Sequence, residues 1–248
     1  PDYLEAANCT VDFIFTKMSR DGHLLHTYKN GTGKILGYLD DYAFLAAGLL
    51  DLFEATVNRA HLDRALKLAE IMLDEFWDEA GAGFFYTGRS HERLIARSKP
   101  IFDASIPSGN AVATQVLLRL YHYAETEKYL KNAEKILRAY YDTMENQPFG
   151  FAHMLAALDF YLQKPKEVVL VGAKKDPKTL ELLTKIHSLY VPNMTLQLAN
   201  PKYSLEKISS LLTGKKQIDN KPTVYVCHNF ACSRPVVEWD ELKSLLEA

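Results

Sequence analysis

Apolar positions recur along this chain with two kinds of helical pattern. Leu62, Ala65, Leu66, Ala69, Met72, Leu73 and Phe76 fall on one side of a helix, with Asp63, Lys67, Glu70 and Asp74 on the other. Tyr129, Ala133, Ile136, Leu137, Tyr140 and Met144 repeat the pattern, with Thr126 placed as an N-cap. These spacings predict amphipathic helices with one wet face. In contrast, Tyr42 to Phe53 and Ala111 to Tyr121 are apolar nearly all round, as helices buried on both sides must be. Alternation of half-wet and fully buried helices predicts two layers, an outer one around an inner one.

The two patterns belong to an internal repeat. Residues 39–73 and 107–141 align without a gap at a spacing of 68, pairing Ala43 with Ala111, Leu49 with Leu117, Leu62 with Leu130 and Ala65 with Ala133. Leu4, Ala7, Val11 and Ile14 fit the register of a further copy, and Leu158-Asp159-Phe160-Tyr161 echoes Leu50-Asp51-Leu52-Phe53. Three helical hairpins are expected. Their connections carry strand signals: His23 to Tyr28, Asn30-Gly31 and Lys34 to Leu36 predict a tight β-hairpin. Gly83 to Thr87 and Arg93 to Ala96 predict a second strand pair, and the connection from Asn146 to Gly150 is short.

The pattern changes at about Lys164. Strand runs at Glu167 to Gly172, Met194 to Leu198 and Thr223 to Cys227 alternate with helical ones at Pro177 to Leu189, Leu205 to Leu212 and Glu238 to Leu246. Such alternation predicts a small α/β segment over 165–248 with a parallel three-stranded sheet.

Composition changes this picture little. The chain has 248 residues, 48% of them hydrophobic and 24% charged, so it can bury a substantial core. A formal net charge of −2 leaves no electrostatic footprint for nucleic acid. No charge-free apolar stretch reaches bilayer length, so no membrane partner is expected. Three cysteines, an odd number, fit a reducing compartment, and a cytoplasmic location is expected. Cys227 and Cys232, with His228 between them, could bind metal or pair. Their spacing is not that of a redox Cys-x-x-Cys, and the reading favours two reduced or transiently paired thiols. Gly31-Thr32-Gly33-Lys34 lacks the full spacing of a phosphate loop and the hydroxyl residue after its lysine. No cofactor or metal is expected.

Several runs carry a family resemblance. Gly37-Tyr38-Leu39-Asp40-Asp41-Tyr42-Ala43, His91-Glu92 with Leu94-Ile95 and Arg97, Asp103-Ala104 leading to Pro107-Ser108-Gly109-Asn110, and Tyr225 to Cys232 appear in this order. They resemble proteins that join a thioredoxin-like domain to a six-hairpin (α/α) toroid, the group of spermatogenesis-associated proteins and bacterial YyaL-like proteins. The resemblance implies a mainly α fold. Residues 1–164 would be a partial (α/α) toroid of three helical hairpins, similar to half the toroid of N-acylglucosamine 2-epimerases, followed by the small C-terminal α/β segment. It also implies that the chain is a C-terminal piece, lacking a thioredoxin-like domain and the first hairpins. Half a ring would expose apolar inner helices, so a second copy, or the C-terminal segment itself, is expected to cover them.

The candidate chemistry lies at one rim. If Leu39 and Ser108 begin inner helices, the preceding loops bring together Tyr38, Asp40, Asp41, Tyr42, Asp103, Ser105, Ser108 and Asn110, with His153 from the third inner helix. Carboxylates can serve as acid and base in sugar chemistry, and aromatic faces stack on pyranose rings. Asp40 and Asp41 are the expected catalytic pair with Asp103 as a third member; Tyr38, Tyr42, Ser108, Asn110 and His153 are the expected binding groups. A carbohydrate epimerase, isomerase or glycoside hydrolase is the first expectation. A non-catalytic sugar- or protein-binding module working with the thioredoxin-like domain is the alternative. Competing structural roles are plain in the sequence. Asp40 or Asp41 can cap a helix, Ser108 is a natural N-cap with Gly109 saving space, and His153 can be a core histidine. Neighbouring residues on a helix point about 100° apart, which argues against Asp40 and Asp41 meeting on one substrate atom.

Overall fold

The computed structural model describes residues 2–200, 210–229 and 231–248. The described chain is mainly α, with two small sheets. Contacts divide it into two compact units. The first comprises Pro1–Phe53, Asn58–Leu118 and Glu127–Leu158; the second comprises Glu54–Val57, Arg119–Thr126 and Asp159–Ala248.

In the first unit, helix α1 (Asp2–Lys17) leads into strands β1 (Ser19–Arg20), β2 (His23–Lys29) and β3 (Thr32–Leu36). β2 and β3 pair antiparallel around Asn30-Gly31, both at positive φ, as the tight turn requires. Helices α2 (Leu39–Thr56) and α3 (Arg59–Ile71) follow, then α4 (Gly109–Ala124) and α5 (Glu127–Ala139), the last residues of α2 and α4 being counted with the second unit. The repeat is visible in the backbone itself. A shift of 68 carries Arg59–Ile71 onto Glu127–Ala139 and the last residue of α2 onto the last residue of α4. The residue after each helix, Val57 and Glu125, turns left-handed with φ of 47° and 53°. Lys164 does the same at 52° after α7 (Ala152–Gln163). A left-handed residue after the last turn stops a helix, normally at glycine; here three residues with side chains perform it.

Burial follows the two sequence patterns. Leu39, Tyr42, Ala43, Ala46, Leu49, Leu50, Leu52 and Phe53 of α2 are buried, and α4 buries a similar run from Ala111 to Leu120. On α3 the buried set is His61 with Leu62, Ala65, Leu68 and Ala69 along one face; on α5 it is Tyr129, Ala133, Ile136 and Leu137.

Two expectations for the outer helices need correction. The segment after α3 widens into a π turn, Met72–Phe76. The segment after α5 breaks at Tyr140 and resumes as α6 (Tyr141–Asn146). The strand pair expected at Gly83–Thr87 and Arg93–Ala96 does not form, and only an isolated bridge joins Trp77 to Phe84. The backbone groups of that segment are taken elsewhere. Phe85 N–H donates to Phe76, Tyr86 N–H to Ser98, and the Tyr86 carbonyl accepts from Leu39 N–H at 3.0 Å. Once these bonds are made, no ladder is left to build.

In the second unit, β4 (Lys166–Val171), α8 (Pro177–His187), β5 (Met194–Ala199), β6 (Thr223–His228), β7 (Ala231–Cys232) and α9 (Trp239–Glu247) follow one another. The sheet order is β5-β4-β6-β7. Among the described residues only β4 and β5 are parallel; β6 and β7 run antiparallel to their neighbours, so the described sheet is mixed and four-stranded rather than parallel and three-stranded. Apolar strand runs report burial but not direction. The helix expected at Leu205–Leu212 lies outside the described residues up to Ser209, and a 3₁₀ turn spans Ser210–Leu212. One sheet face packs Val168, Leu170, Leu196, Val224 and Val226 against Leu183, Ile186, Leu242 and Leu246. Cys227 stands opposite Cys232 in the β6–β7 register, and the two form a disulfide. Of the two states expected, reduced or transiently paired thiols, the structure shows the paired one. Cross-strand neighbours lie within bonding reach, whereas sequence spacing alone treats this pair as a loop.

Candidate functional site

The start of α2 is organised by Asp41. Its carboxylate accepts the Tyr38 N–H at 2.8 Å, reaching back over the first turn as the acidic residue of a capping box does. The same oxygen lies 2.9 Å from His26 Nδ1 on β2, which ties the hairpin to the helix start. Asp41 is therefore a cap and a hydrogen-bond partner of His26. Asp40, next to it, takes part in no hydrogen bond or ion pair among the described residues. Its carboxyl presses on Gly109, where a methyl group would stand 2.0 Å from Asp40 Oδ1. Burial raises the Asp40 pKa above its ordinary 3.8, the Asp41 charge raises it further, and His26 pulls it down.

The start of α4 carries a second set of anchors. Ser108 Oγ accepts the Ala111 N–H at 3.2 Å, the N-cap bond. Asp103 accepts the Ser108 N–H with one oxygen and the His153 N–H with the other, both at 2.8 Å, clasping the starts of α4 and α7. Asn110 is fully buried and uses both ends of its amide. It accepts the Phe84 N–H at 2.7 Å and donates to the carbonyls of Phe84 and Pro100 at 3.0 and 2.8 Å. The His153 Nε2 is buried without a partner among the described residues. Burial lowers the His153 pKa, with the Asp103 charge opposing, which favours the neutral ring.

Aromatic rings wall this end of the unit. Tyr38 stacks on Tyr86 with ring centres 4.7 Å apart and planes 8° from parallel. His91 stacks on Tyr38 at 5.3 Å, and His26 meets it edge-on at 4.9 Å. Tyr42 lies below, buried, its hydroxyl accepting the Leu24 N–H at 2.8 Å; burial pushes its pKa up to about 12.

Asp40, Asp41 and Tyr38 thus meet at the start of α2. Asp103, Ser108, Asn110 and His153 meet at the starts of α4 and α7, and the Asp40–Gly109 contact joins the two groups. Most of them make the structural contacts that the sequence also allows. Tyr42 and Asn110 have their polar atoms sealed inside the protein and act as tethers rather than ligand contacts. Asp41 and Asp103 are consumed by backbone N–H groups, and Ser108 is a cap. Asp40 and His153 keep uncommitted polar atoms. Sequence reasoning missed His26 and Tyr86. His26 sat in a correctly read strand, but nothing in strand alternation says which helix start it faces.

No family model matches the chain. Among curated proteins it is 33% identical over 236 residues to human spermatogenesis-associated protein 20, and 34% identical over 213 residues to the rat protein of that name. These matches cover 91% and 85% of this chain but 30% and 27% of the relatives. An uncharacterized protein of Caenorhabditis elegans is 28% identical over 253 residues, 98% of this chain and 34% of that protein. The chain thus spans about a third of the length of the curated relatives it matches. Its homologues carry the name spermatogenesis-associated protein 20, consistent with the family resemblance that its sequence motifs suggest.

Proposed function

We propose that the rim around Asp40 belongs to the carbohydrate-handling cleft of a partial (α/α) toroid, and that its chemistry is proton exchange of the epimerase or isomerase kind. The observation that carries this reading is the uncommitted, half-buried Asp40 carboxyl with its raised pKa. A carboxyl held towards its protonated form can donate to a sugar oxygen. His153, kept neutral by burial, is the proposed proton acceptor, a role that requires the ligand to displace the packing that covers its Nε2. Tyr86 and Tyr38 supply an aromatic wall near Asp40. Glycoside hydrolysis fits less well, because it uses two free carboxyl groups and Asp41 and Asp103 are both engaged with backbone N–H groups. That same engagement favours the second reading, a non-catalytic sugar-binding module, should no turnover occur. The activity proposed is that of the longer protein as well as of this chain.

The test is incubation of the protein with reducing mono- and disaccharides in D₂O, following ligand contact by saturation transfer and deuterium incorporation by NMR. Contact and incorporation are expected, with incorporation abolished in Asp40→Asn and His153→Gln. Contact without incorporation supports the binding module. No contact with any sugar, or incorporation unchanged in both variants, refutes the acid–base reading.

A further inference from the structure

His91 stands out because both ring nitrogens are committed to backbone groups from different segments. The Gly88 N–H points at Nδ1 at 3.0 Å, and Nε2 lies 3.2 Å from the Leu36 carbonyl at the end of β3. A donor facing Nδ1 requires a lone pair there, so the hydrogen resides on Nε2 and is donated to Leu36. The ring is thus pinned as one neutral tautomer with its face on Tyr38.

The pin is set by Glu75. Its carboxylate accepts the Ser90 N–H at 2.8 Å and the Ser90 hydroxyl at 2.9 Å, while its carbonyl accepts from Arg89 N–H at 2.9 Å and from Arg97 at 3.1 Å. The turn from Gly88 to His91 closes on this residue. Gly88 is crowded from both sides, since a methyl group there would stand 2.9 Å from Glu75 Oε2 and 3.2 Å from His91 Nδ1. Glu75 reaches the turn from the π turn Met72–Phe76. A π turn bonds residues five apart rather than four, so side chains within it depart from the regular spacing of about 100° per residue of an α-helix. In an uninterrupted α-helix the carboxylate would face elsewhere.

We propose that Glu75 and His91 are positioning residues. Glu75 folds the Gly88–His91 turn, and His91, locked as the Nε2–H tautomer between Gly88 and Leu36, fixes the Tyr38 ring against Tyr86 beside Asp40. The locking rests on hydrogen bonds alone; its bearing on ligand binding rests on the proposed sugar-handling role of the rim.

Long-range ¹H–¹⁵N correlation of the histidine rings tests it. Wild-type His91 is expected to show the single-tautomer pattern with the proton on Nε2. Glu75→Ala is expected to lose that pattern to tautomer averaging and to shift the Tyr38 ring resonances. Glu75→Gln, which keeps an oxygen for Ser90 N–H, should restore much of both. Should Glu75→Ala fail to fold, Gly88→Ala perturbs the same turn and should show the same loss. A wild-type ring with averaged or Nδ1–H tautomers overturns the proposal, as does a folded Glu75→Ala or Gly88→Ala protein with His91 still locked and Tyr38 unmoved. Loss of locking in Glu75→Ala, in a protein that binds no sugar, supports the positioning role and refutes the sugar reading.

Discussion

The starts of α2 and α4 are the same place in two copies of one repeat, and they solve one problem with different chemistry. Tyr42 and Asn110 lie 68 residues apart, and each ties its helix to the connection that precedes it, Tyr42 through Leu24 N–H and Asn110 through Phe84. The phenol does this with one accepted bond. The carboxamide does it with three bonds, because its segment, unlike the β2–β3 hairpin, has no ladder to hold it. The two sites part company at the preceding positions. Asp40 and Asp41 stand where the second copy has Ser108 and Gly109. At these three positions the residue types all differ, yet five of the six side groups are caps, tethers or space-savers; the exception is the uncommitted Asp40 carboxyl, pressed into the gap that Gly109 of the other copy leaves.

The tethers give the largest test of this comparison. Asn110→Leu removes three hydrogen bonds, stranding the buried Phe84 N–H and carbonyl and freeing the exposed Pro100 carbonyl, and should cost about 3 kcal/mol or more of unfolding free energy in urea titration. Tyr42→Phe strands only the Leu24 N–H and should cost about 1–2 kcal/mol. Equal losses would break the distinction drawn between them. Asp103→Ala removes the clasp on two helix starts and should cost about 2 kcal/mol, near the sum of two lost caps. A loss under half of that would mean the caps are replaced by water. At the other end of the repeat, Lys164→Gly should stabilise by about 0.5–1 kcal/mol, since glycine adopts the left-handed stop without strain. No gain in the urea midpoint would show that the Lys164 side chain, 2.8 Å from Asn229, offsets the strain.

Periodicity made most of the helical scaffold legible. Apolar residues at helical spacing located α2 to α5 because burial on one or both faces is what that pattern records. The 68-residue spacing survived as matching helix ends and matching left-handed stops. Strand direction was not legible, because β6 looks equally apolar in either sense. The Gly83–Ala96 segment misled for a related reason. Its residues favour extended structure, but their partners are Asn110, Phe76, Ser98 and Leu39, distant in sequence. At the site, residue types drew attention to Asp40, Asp41 and Asp103 together. Their roles were decided by which backbone N–H each carboxylate happens to face, and that depends on tertiary placement. The π turn that aims Glu75 has no sequence pattern to announce it.

The central claim is that Asp40 is the uncommitted carboxyl of this rim, and its titration by carboxyl ¹³C NMR tests that most directly. A midpoint above 3.8 is predicted, raised first by burial and second by Asp41, and therefore reduced but not abolished in Asp41→Asn. A carboxyl whose pKa is higher folded than unfolded loses stability as pH rises from 3.8 to the raised value. Asp40→Asn should remove that loss and melt higher than wild type at neutral pH. A midpoint at or below 3.8 would contradict the account, because the carboxylate would then be held in its ionised form by the N-terminus of α4 and would be another cap.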